Sequence, residues 1–329
     1  MLKRTIKLNM NEMPYLPPQE IIEAARKGLL NLNRYTDPED LERLRELLAD
    51  YSGVPKGHII LGPGSDFLLR EAIQTFSKRR KVIIVSPSFF PTVQTAKQFA
   101  TKLISVKLSP PEFELNLDFL IKELQEPCLV ILDNPNNPTG KILLDLHAVE
   151  AIIENKNVLL LIDEAYYEFS GITFAYMVQN RPNLAITRTM DKAFSLAGAR
   201  VGYILAGKAF LEAFSSFYAL LPQSSLHAAI EALTNPDYMK KNIHRVIKER
   251  KRIMKALDKL DVQVFPSSAN FFLAMTKIPD AARKLKDIGI LISDLSNQFP
   301  SGFIRVSTGT YEENNAFIAG YKKIRKAYD

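Results

Sequence analysis

Several residue types are scarce in this chain of 329 residues, and each scarcity excludes a class of protein. Cys128 is the one cysteine, so neither an intrachain disulfide nor a cysteine-built metal site can form. The four histidines lie far apart in the sequence and lack the spacing of metal ligands, so we expect no metal site. No apolar run approaches about 18 residues without a charge, and no apolar leader follows Met1. We therefore expect a soluble, cytoplasmic protein that does not enter a membrane.

The chain is moderately basic, with a net charge of +7 from 43 basic and 36 acidic residues. The lysines and arginines are scattered or lie on one predicted helix around residues 240–259, and they do not alternate with aromatic residues as in a nucleic-acid-binding surface. We interpret this charge as a determinant of solubility and expect no nucleic-acid partner. A basic nucleic-acid-binding protein is the alternative, and its binding would depend steeply on salt.

The hydrophobic pattern predicts an α/β fold. Between residues 81 and 161, apolar runs of four to six residues alternate with amphipathic segments, which is typical of a parallel sheet covered by helices on both faces. We therefore predict a large three-layer α/β/α domain with a mostly parallel sheet. A long helix that begins near Pro236 leads into short apolar runs and further helices, which predict a smaller α+β domain.

Three segments follow from these patterns. Residues 1–34 form an N-terminal arm with a helix that we expect to pack on the smaller domain. Residues 35–235 form the large domain, and residues 236–329 form the small one. Because 47% of the residues are hydrophobic, the chain can bury a sizeable core.

Functional side chains follow the predicted strands at the edge where a ligand binds. In parallel sheets this edge lies beyond the carboxyl ends of the strands. Phe89, Asn137, Asp163 and Lys192 each come shortly after an apolar run. The sequence therefore predicts one site to which several strand ends contribute.

A glycine-rich turn and a lysine followed by an arginine indicate what this site binds. The turn Gly-Pro-Gly-Ser at residues 62–65 leads from a strand into a helix, so its backbone N–H groups can converge on an anion. Lys192 leaves another strand end, and Arg200 follows eight positions later. A lysine amine can form an imine with an aldehyde while a guanidinium holds a phosphate. Pyridoxal phosphate carries both groups on one ring.

Five motifs occur in an order that resembles a known enzyme family: PSFF at residues 87–90, NPNNPTG at 134–140, DEAY at 163–166, TMDKAFSLAGARVGY at 189–203 and FIRVSTGT at 303–310. Together they resemble the fold-type I, class I and II pyridoxal-phosphate aminotransferases. The segments KLNMNEMPY, RYTDP and GPGSD are similar to those of the histidinol-phosphate aminotransferase branch. The resemblance extends from Asn9 to Thr310.

This resemblance implies a role for each residue around the edge of the cofactor ring. Lys192 would bind the cofactor covalently and carry the proton between the substrate carbon and the cofactor. Asp163 would pair with the ring nitrogen and keep it protonated. Tyr166 and Asn137 would donate hydrogen bonds to the phenolic oxygen of the ring.

The same resemblance implies how the ring face and the phosphate are held. Phe89 would stack on the ring, and its neighbour Phe90 would belong to the core. Tyr35, in the segment RYTDP, would reach the phosphate in the other subunit, so the implied protein is a homodimer with shared active sites. The remaining phosphate ligands would be Gly64, Ser65, Asp66, Thr189 and Arg200.

The substrate side of the site follows from the same comparison. Arg305, in FIRVSTGT, would clamp the substrate carboxylate through two parallel hydrogen bonds. Tyr15 and Asn137 would line the substrate pocket. The implied reaction transfers an amino group from an L-amino acid or histidinol phosphate to a 2-oxo acid such as 2-oxoglutarate by a ping-pong mechanism. With histidinol phosphate as the donor, the reaction belongs to histidine biosynthesis.

Two positions depart from the histidinol-phosphate aminotransferase pattern. Ser293 lies in the segment ILISD, where those enzymes have an arginine that grips the substrate phosphate. Asp191 replaces a serine before the lysine, and a carboxylate near a phosphate is unfavourable unless it faces away. The first departure leaves an aromatic or acidic amino acid as an alternative substrate.

Two other functions are compatible with the same motifs. A pyridoxal-phosphate decarboxylase similar to threonine-phosphate decarboxylase would share the lysine, aspartate and arginine, and CO₂ release would distinguish it. A catalytically silent binding protein would have no chemical reason to keep Lys192, Asp163, Tyr166 and Arg200 together. We therefore predict a dimeric aminotransferase of the histidinol-phosphate type.

Overall fold

The computed structural model describes residues 5–218 and 220–328. The strands, numbered β1 to β12 in chain order, are Ile6–Leu8, Ile59–Gly62, Lys81–Ser86, Leu103–Lys107, Cys128–Asp133, Val158–Asp163, Leu184–Thr189, Gly202–Ala206, Gln263–Val264, Phe271–Met275, Ile290–Asp294 and Phe303–Ser307. The α-helices, numbered α1 to α12, are Gln19–Leu29, Pro38–Ser52, Ser65–Ser77, Phe90–Phe99, Leu117–Lys122, Leu146–Ile153, Tyr167–Ser170, Lys208–Ala213, Gln223–Thr234, Asp237–Asp258, Ala281–Asp287 and Tyr311–Lys326.

The larger of two sheets has seven strands in the order β2-β8-β7-β6-β5-β3-β4. Strand β8 runs antiparallel to β2 and β7, and the remaining neighbours are parallel. Every residue of β5, β6 and β7 is buried, as expected for continuous apolar strands that are covered on both faces. The predicted α/β fold with a mostly parallel sheet is confirmed.

Alternate residues of the central strands pack into two separate cores, one on each face of this sheet. In β5, Val130 and Leu132 belong to one core, whereas Leu129 and Ile131 belong to the other. Helix α3 packs into the second core through residues that include Ile73. Because successive side chains of a strand point to opposite faces, this division places a helical layer on each side of the sheet.

The smaller sheet has five strands in the order β1-β11-β12-β10-β9. Its core contains Phe272 of β10, Val306 of β12 and Phe317 of α12. Strand β1 pairs in parallel with β11, where Ile6 aligns with Ile290. The hydrophobic pattern did not predict β1, because a strand of three residues has no measurable periodicity and its partner lies almost a whole chain away.

Helix α1 packs against α9, and the expectation that it packs on the smaller domain was wrong. Its buried residues are Ile21 and Gly28. A side chain at Gly28 would place a Cβ 2.5 Å from the Cα of Ser224 in α9, so the missing side chain lets the two helices approach closely. The N-terminal arm is therefore divided between β1, which joins the small sheet, and α1, which joins α9.

Helix α10 leads from the helices of the large sheet to the strands of the small one. Its buried side includes Ile243, Val246 and Ile253, whereas its exposed side carries lysines such as Lys248 and Lys251. The lysines of the basic run therefore form a solvated helix face, whereas Arg250 is buried and donates to the carbonyl of Ala269. Within residues 5–218 and 220–328, none of the helices combines the length and the apolar character that crossing a membrane requires.

Candidate active site

Ten of the thirteen predicted site residues line one cavity of about 500 Å³ beyond the carboxyl ends of β5, β6 and β7. The motifs had assigned no role to several other lining residues, which include Met10, Asn11, Ser88 and Gln298. Ten predicted site residues line the cavity, namely Ser65, Asp66, Phe89, Asn137, Asp163, Tyr166, Thr189, Lys192, Arg200 and Arg305. The rule that ligands bind beyond strand ends therefore located this cavity.

Asp163, the last residue of β6, is a buried carboxylate without a cationic partner among the described residues. Its Oδ1 accepts hydrogen bonds from the N–H of Ala165 at 3.1 Å and from the hydroxyl of Thr187 at 3.2 Å. Neither bond uses Oδ2. Burial raises the pKa of Asp163 to about 7, and the neighbouring carboxylate of Asp133 adds to the rise. The site therefore favours a positive group beside this side chain.

Asp133 ends β5 and aligns with Asp163 in the parallel ladder. Its carboxylate accepts hydrogen bonds from the hydroxyl of Ser88 at 2.5 Å, the N–H of Phe89 at 3.0 Å and the N–H of Asn137 at 3.1 Å. Burial raises its pKa to about 6. Asp133 thus ties the turn that carries Phe89 to the turn that carries Asn137. The strand-end rule could have found it, because it occupies the same position on β5 as Asp163 does on β6.

Lys192 lies three residues beyond the end of β7 and is half-buried in the cavity. Its Nζ is 3.5 Å from the carbonyl oxygen of Met10 and 6.0 Å from the centroid of the Tyr166 ring. Burial lowers the pKa of Lys192, and the positive charges of Arg305 and Arg200 lower it further against the opposing effect of nearby carboxylates. The amine is therefore easier to deprotonate than an exposed lysine.

The first turn of α3 and Arg200 lie together at one end of the cavity. Gly64 precedes the helix with φ of 98°, and a Cβ at this position would collide with the guanidinium of Arg200. Arg200 itself has φ of 55° and forms ion pairs with Asp66 and Asp191. A carboxylate near a phosphate is expected to face away from it. Asp191 instead lines the cavity, because it pairs with Arg200. Burial raises the pKa of Asp191.

Tyr166 and Arg305 both line the cavity, and hydrogen bonds hold each of them in place. The phenol oxygen of Tyr166 accepts hydrogen bonds from Nδ2 of Asn11 at 3.0 Å and from Nδ2 of Asn137 at 3.4 Å. Arg305 donates to Oδ1 of Asn137 at 2.5 Å, to the carbonyl of Asn9 at 2.7 Å and to the hydroxyl of Ser293 at 3.0 Å. Its Nε is buried and has no hydrogen-bond partner among the described residues.

Tyr15 and Phe90 do not lie where the sequence analysis placed them, and Tyr35 lies outside the cavity. Tyr15 was expected in the substrate pocket, but its ring packs 5.4 Å from the guanidinium of Arg245 and does not line the cavity. Phe90 was expected in the core, but it begins α4 and is 49% exposed, because the inward face of that helix belongs to later residues. Tyr35 is 88% exposed and lies outside the cavity of its own chain.

The donor set of this cavity fits pyridoxal phosphate. No side chain in the described residues caps the start of α3, so its N–H groups and Arg200 can bind a phosphate together. Asp163 offers an unengaged carboxylate oxygen to a cationic ring nitrogen. Lys192 offers an amine of lowered pKa to an aldehyde. Three chemically different groups of one cofactor therefore find complementary partners.

Comparison with known proteins shows the family of this chain. The sequence model of the family described as aminotransferase class I and II matches residues 3–320. The chain belongs to this family. It is 38% identical to a histidinol-phosphate aminotransferase of Sulfurisphaera tokodaii over 95% of this chain and 88% of that protein. It is 32% identical to a histidinol-phosphate aminotransferase of Clostridium botulinum over 98% of this chain and 92% of that protein.

Solved structures show the same fold. The histidinol-phosphate aminotransferase of Clostridium acetobutylicum superposes with a TM-score of 0.88 at 24% identity and covers 98% of this chain and 99% of its own. The Sinorhizobium meliloti enzyme, solved in complex with pyridoxal 5′-phosphate, gives the same TM-score and identity over 99% and 92% of the two chains. The predictions of a pyridoxal-phosphate-dependent aminotransferase and of its resemblance to the histidinol-phosphate branch are confirmed.

Proposed function

We propose that this aminotransferase transfers the amino group of histidinol phosphate to 2-oxoglutarate in a ping-pong reaction and serves histidine biosynthesis. The observation that carries the proposal is the convergence of Lys192, Asp163 and Arg200 on one cavity that Arg305 also lines. The names of the Sulfurisphaera tokodaii and Clostridium botulinum relatives favour histidinol phosphate over an aromatic or acidic amino acid as the donor.

In this proposal the cofactor is held at separate points of the cavity. Arg200, the hydroxyl of Thr189 and the N–H groups of Ser65 and Asp66 bind its phosphate. Phe89, whose N–H is fixed by the carboxylate of Asp133, offers its ring as a flat surface for stacking. When bound, the cofactor supplies a ring that accepts electrons from the reacting carbon.

Asp163 keeps the ring nitrogen of the cofactor positively charged. Its carboxyl has a pKa of about 7 in the protein alone, because burial disfavours its charge. A cationic nitrogen beside it favours the ionised carboxylate, and the carboxylate in turn favours the protonated nitrogen. The hydrogen bonds from Ala165 and Thr187 hold the carboxylate in one orientation.

Lys192 would hold the cofactor, and its amine would move the proton at the substrate carbon. A base for this step must be neutral near working pH, and burial lowers the pKa of Lys192 in the required direction. Its Nζ lies 3.5 Å from the carbonyl of Met10, which orients the amine within the cavity.

Arg305 holds the anionic group of each substrate in turn. It has no carboxylate partner among the described residues, whereas Arg200 is engaged by Asp66 and Asp191. Its bonds to the carbonyl of Asn9 and the hydroxyl of Ser293 fix the plane of the guanidinium. Because Ser293 cannot add a second positive charge, the donor phosphate and the acceptor carboxylate both depend on Arg305.

We propose further that the enzyme is a homodimer in which Tyr35 completes the phosphate site of the partner subunit. Tyr35 is 88% exposed, and Leu16, Leu30 and Leu32 in the same N-terminal region are 83%, 82% and 80% exposed. Such a group of large apolar side chains on one segment favours coverage by a second copy of the chain. Co-expressing Lys192→Ala with Tyr35→Ala tests this, because the mixed dimer then has one intact site and should regain activity.

The half-reaction with single amino donors tests the proposed substrate. The cofactor-loaded protein is mixed separately with histidinol phosphate, phenylalanine, aspartate and threonine phosphate, and loss of its visible absorbance is followed. Histidinol phosphate should bleach the band fastest, and Arg305→Lys should raise its KM by about tenfold or more, since lysine cannot form two parallel hydrogen bonds. Faster bleaching by another donor would overturn the substrate, and CO₂ release from threonine phosphate would identify a decarboxylase.

We also propose that the large domain extends over residues 35–235, that the small domain extends over residues 236–329, and that the enzyme is cytoplasmic. The strands of the large sheet all lie between residues 59 and 206, and four of the five strands of the small sheet follow residue 262. Limited proteolysis should cut near residue 236 before it cuts within either sheet. Cell fractionation should find the enzyme with soluble cytoplasmic markers.

A further inference from the structure

Asn11 lines the cavity, and the family motifs assign it no role. It is buried and has φ of 53°, in the left-handed region that asparagine tolerates better than most residues other than glycine. Its N–H donates to the hydroxyl of Ser307 at 2.8 Å, and its carbonyl accepts from Nδ2 of Asn270 at 2.9 Å. The end of β12 and the residue before β10 therefore hold Asn11 in a fixed position.

Hydrogen bonding also fixes which side-chain atom of Asn11 faces Tyr166. The hydroxyl of Ser307 accepts from the N–H of Asn11 and donates to its Oδ1 at 2.9 Å. A flipped amide would leave the hydroxyl hydrogen of Ser307 without an acceptor among the described residues. Oδ1 therefore faces Ser307, and Nδ2 donates to the phenol oxygen of Tyr166 at 3.0 Å.

The second donor to this phenol is oriented by a different partner. Oδ1 of Asn137 accepts from Nη1 of Arg305 at 2.5 Å. A guanidinium can only donate, so this contact fixes Oδ1 towards Arg305 and leaves Nδ2 towards Tyr166, 3.4 Å away. Both amides thus donate to the same phenol oxygen.

A phenol oxygen has two acceptor positions and one hydrogen to donate. In Tyr166 the amides of Asn11 and Asn137 occupy both acceptor positions. The ring is held edge-on against Phe271, with 5.0 Å between centroids, so it cannot turn freely. The phenol hydrogen is therefore available to an acceptor in the cavity that these residues line.

We infer that Asn11 is a positioning residue for transamination: by donating to Tyr166 it directs the phenol hydrogen to the cofactor ring oxygen and strengthens that hydrogen bond. The inference rests on the proposed function. A donor to a hydroxyl oxygen makes the hydroxyl a stronger donor in turn. Consistent with this, the pKa of Tyr166 is raised by burial to about 12, while Arg305 and the hydrogen bond from Asn11 lower it.

The neighbours of Asn11 contact the other working groups of the site. The carbonyl of Asn9 accepts from Arg305 at 2.7 Å, and the carbonyl of Met10 lies 3.5 Å from Nζ of Lys192. The tripeptide at residues 9–11 thus contacts the side chains that bind the substrate anion, carry the proton and donate to the ring. It follows β1 of the small sheet and contacts both Arg305 of that sheet and Lys192 and Tyr166, which follow strands of the large sheet.

The test is a pH titration of the visible absorbance of the cofactor-loaded protein. The midpoint reports protonation of the nitrogen through which Lys192 holds the cofactor. A strong hydrogen bond from Tyr166 to the ring oxygen weakens the competing attraction of that oxygen for the nitrogen proton. Asn11→Leu removes one donor from Tyr166, so the midpoint should rise by about half to one pH unit, the equivalent of one hydrogen bond.

A double-mutant cycle with Tyr166→Phe decides whether Asn11 acts through the phenol. In the Tyr166→Phe background, Asn11→Leu should leave the midpoint unchanged. Asn11→Asp keeps the shape of the side chain and serves as a second variant if the leucine variant does not fold. Asn11→Asp should raise the midpoint more in the wild-type background than in the Tyr166→Phe background. The matched control is Asn183→Leu, which removes a buried asparagine outside the cavity and should not move the midpoint.

The outcomes separate the inference from the proposed function. A wild-type protein that binds pyridoxal phosphate without developing the visible band would overturn the proposed function itself. A normal wild-type band whose midpoint is the same in Asn11→Leu and Asn11→Asp would overturn only the role of Asn11. Equal shifts with and without the phenol of Tyr166 would do the same, since the effect would then not pass through Tyr166.

Discussion

Asp163 and Glu164 are consecutive in the chain and both are buried, but their surroundings differ completely. Glu164 accepts hydrogen bonds from Nε and Nη2 of Arg188 at 3.1 and 2.9 Å, from the hydroxyl of Thr173 at 2.7 Å and from the N–H of Phe174 at 2.9 Å. Asp163 accepts only from neutral donors, and both bonds end at one oxygen.

This difference separates a carboxylate whose charge is neutralised within the chain from one that is left open to a ligand. The charge of Glu164 is compensated within the chain, and the guanidinium of Arg188 is itself held 3.7 Å from the centroid of the Tyr167 ring. The charge of Asp163 is not compensated, so the folded protein disfavours it until a cationic group arrives. Glu164 stabilises the fold, whereas Asp163 favours the binding of a cationic ligand.

The largest expected effect comes from removing the amine that serves this ligand. Lys192→Ala should lose the visible band of the bound cofactor and lower turnover by about 10⁴-fold or more, because both the covalent attachment and the proton carrier disappear. Absorbance spectra and single-turnover kinetics measure the two losses. The exposed Lys102, which pairs with Glu126, provides the control, since Lys102→Ala should leave both unchanged. Retention of the band and of turnover would remove Lys192 from the mechanism.

Asp163→Asn should lower turnover by about 10²–10³-fold, because the ring nitrogen loses the charge that keeps it protonated. Cofactor affinity should fall as well. The cofactor-free variant, however, should be at least as stable as the wild type at pH 8. At this pH the wild type must bury the charged carboxylate of Asp163, whereas an amide is neutral. Urea denaturation and cofactor titration measure these opposite effects. Near-normal turnover would show that Asp163, like Glu164, has no role in the reaction.

Glu164→Gln should have the reverse profile. It removes the ion-pair partner of the buried guanidinium of Arg188, which should lower the free energy of unfolding by about 3–5 kcal/mol. Turnover per folded molecule should change far less than in Asp163→Asn, because Glu164 does not line the cavity. Glu126→Gln, in an exposed pair with Lys102, is the control and should have no measurable effect on stability. A variant of Glu164 that lost turnover without losing stability would contradict this assignment.

The smallest expected effect is a dependence of stability on pH. The pKa of Asp163 is about 7 in the folded protein and near 3.8 in an unfolded chain, so the folded state binds the proton more tightly. As pH rises from about 4 to 7, the unfolded state loses its proton first, and the cofactor-free wild type should lose about 1.4 kcal/mol of stability per pH unit relative to Asp163→Asn. Denaturation curves at pH 5, 6 and 7 measure this difference. A constant difference would mean that Asp163 is already ionised when folded.

Much of the site could be predicted because its residues belong to local patterns. The apolar runs that form β5, β6 and β7 could be recognised from a few consecutive residues, and the motif residues after them line the cavity. Parallel strands bring their carboxyl ends together, so Asn137, Asp163 and Lys192 could be placed at one edge without knowledge of the packing. The turn at Gly64 could be placed in the same way, from its position between a strand and a helix.

The contacts that depend on distant segments could not be predicted. Asn11 donates to Tyr166 across 155 positions of sequence, and nothing in the residues near either one indicates the pairing. The location of Tyr15 beside Arg245 and the packing of α1 on α9 are of the same kind. The adjacent carboxylates show this dependence on folding most clearly. Only the folded chain brings Arg188 to Glu164 and leaves Asp163 without a cationic partner among the described residues.

The amino-acid sequence by itself determined the strands of the large sheet and the chemical groups at their ends, since these follow from short-range periodicity and from the geometry of parallel sheets. The tertiary structure alone decided which buried charge is neutralised and which amide faces which phenol. Those choices depend on contacts between separate segments, 24 positions apart for Arg188 and Glu164 and 155 for Asn11 and Tyr166. Each such contact is weak, and its position is set by the sum of all the others.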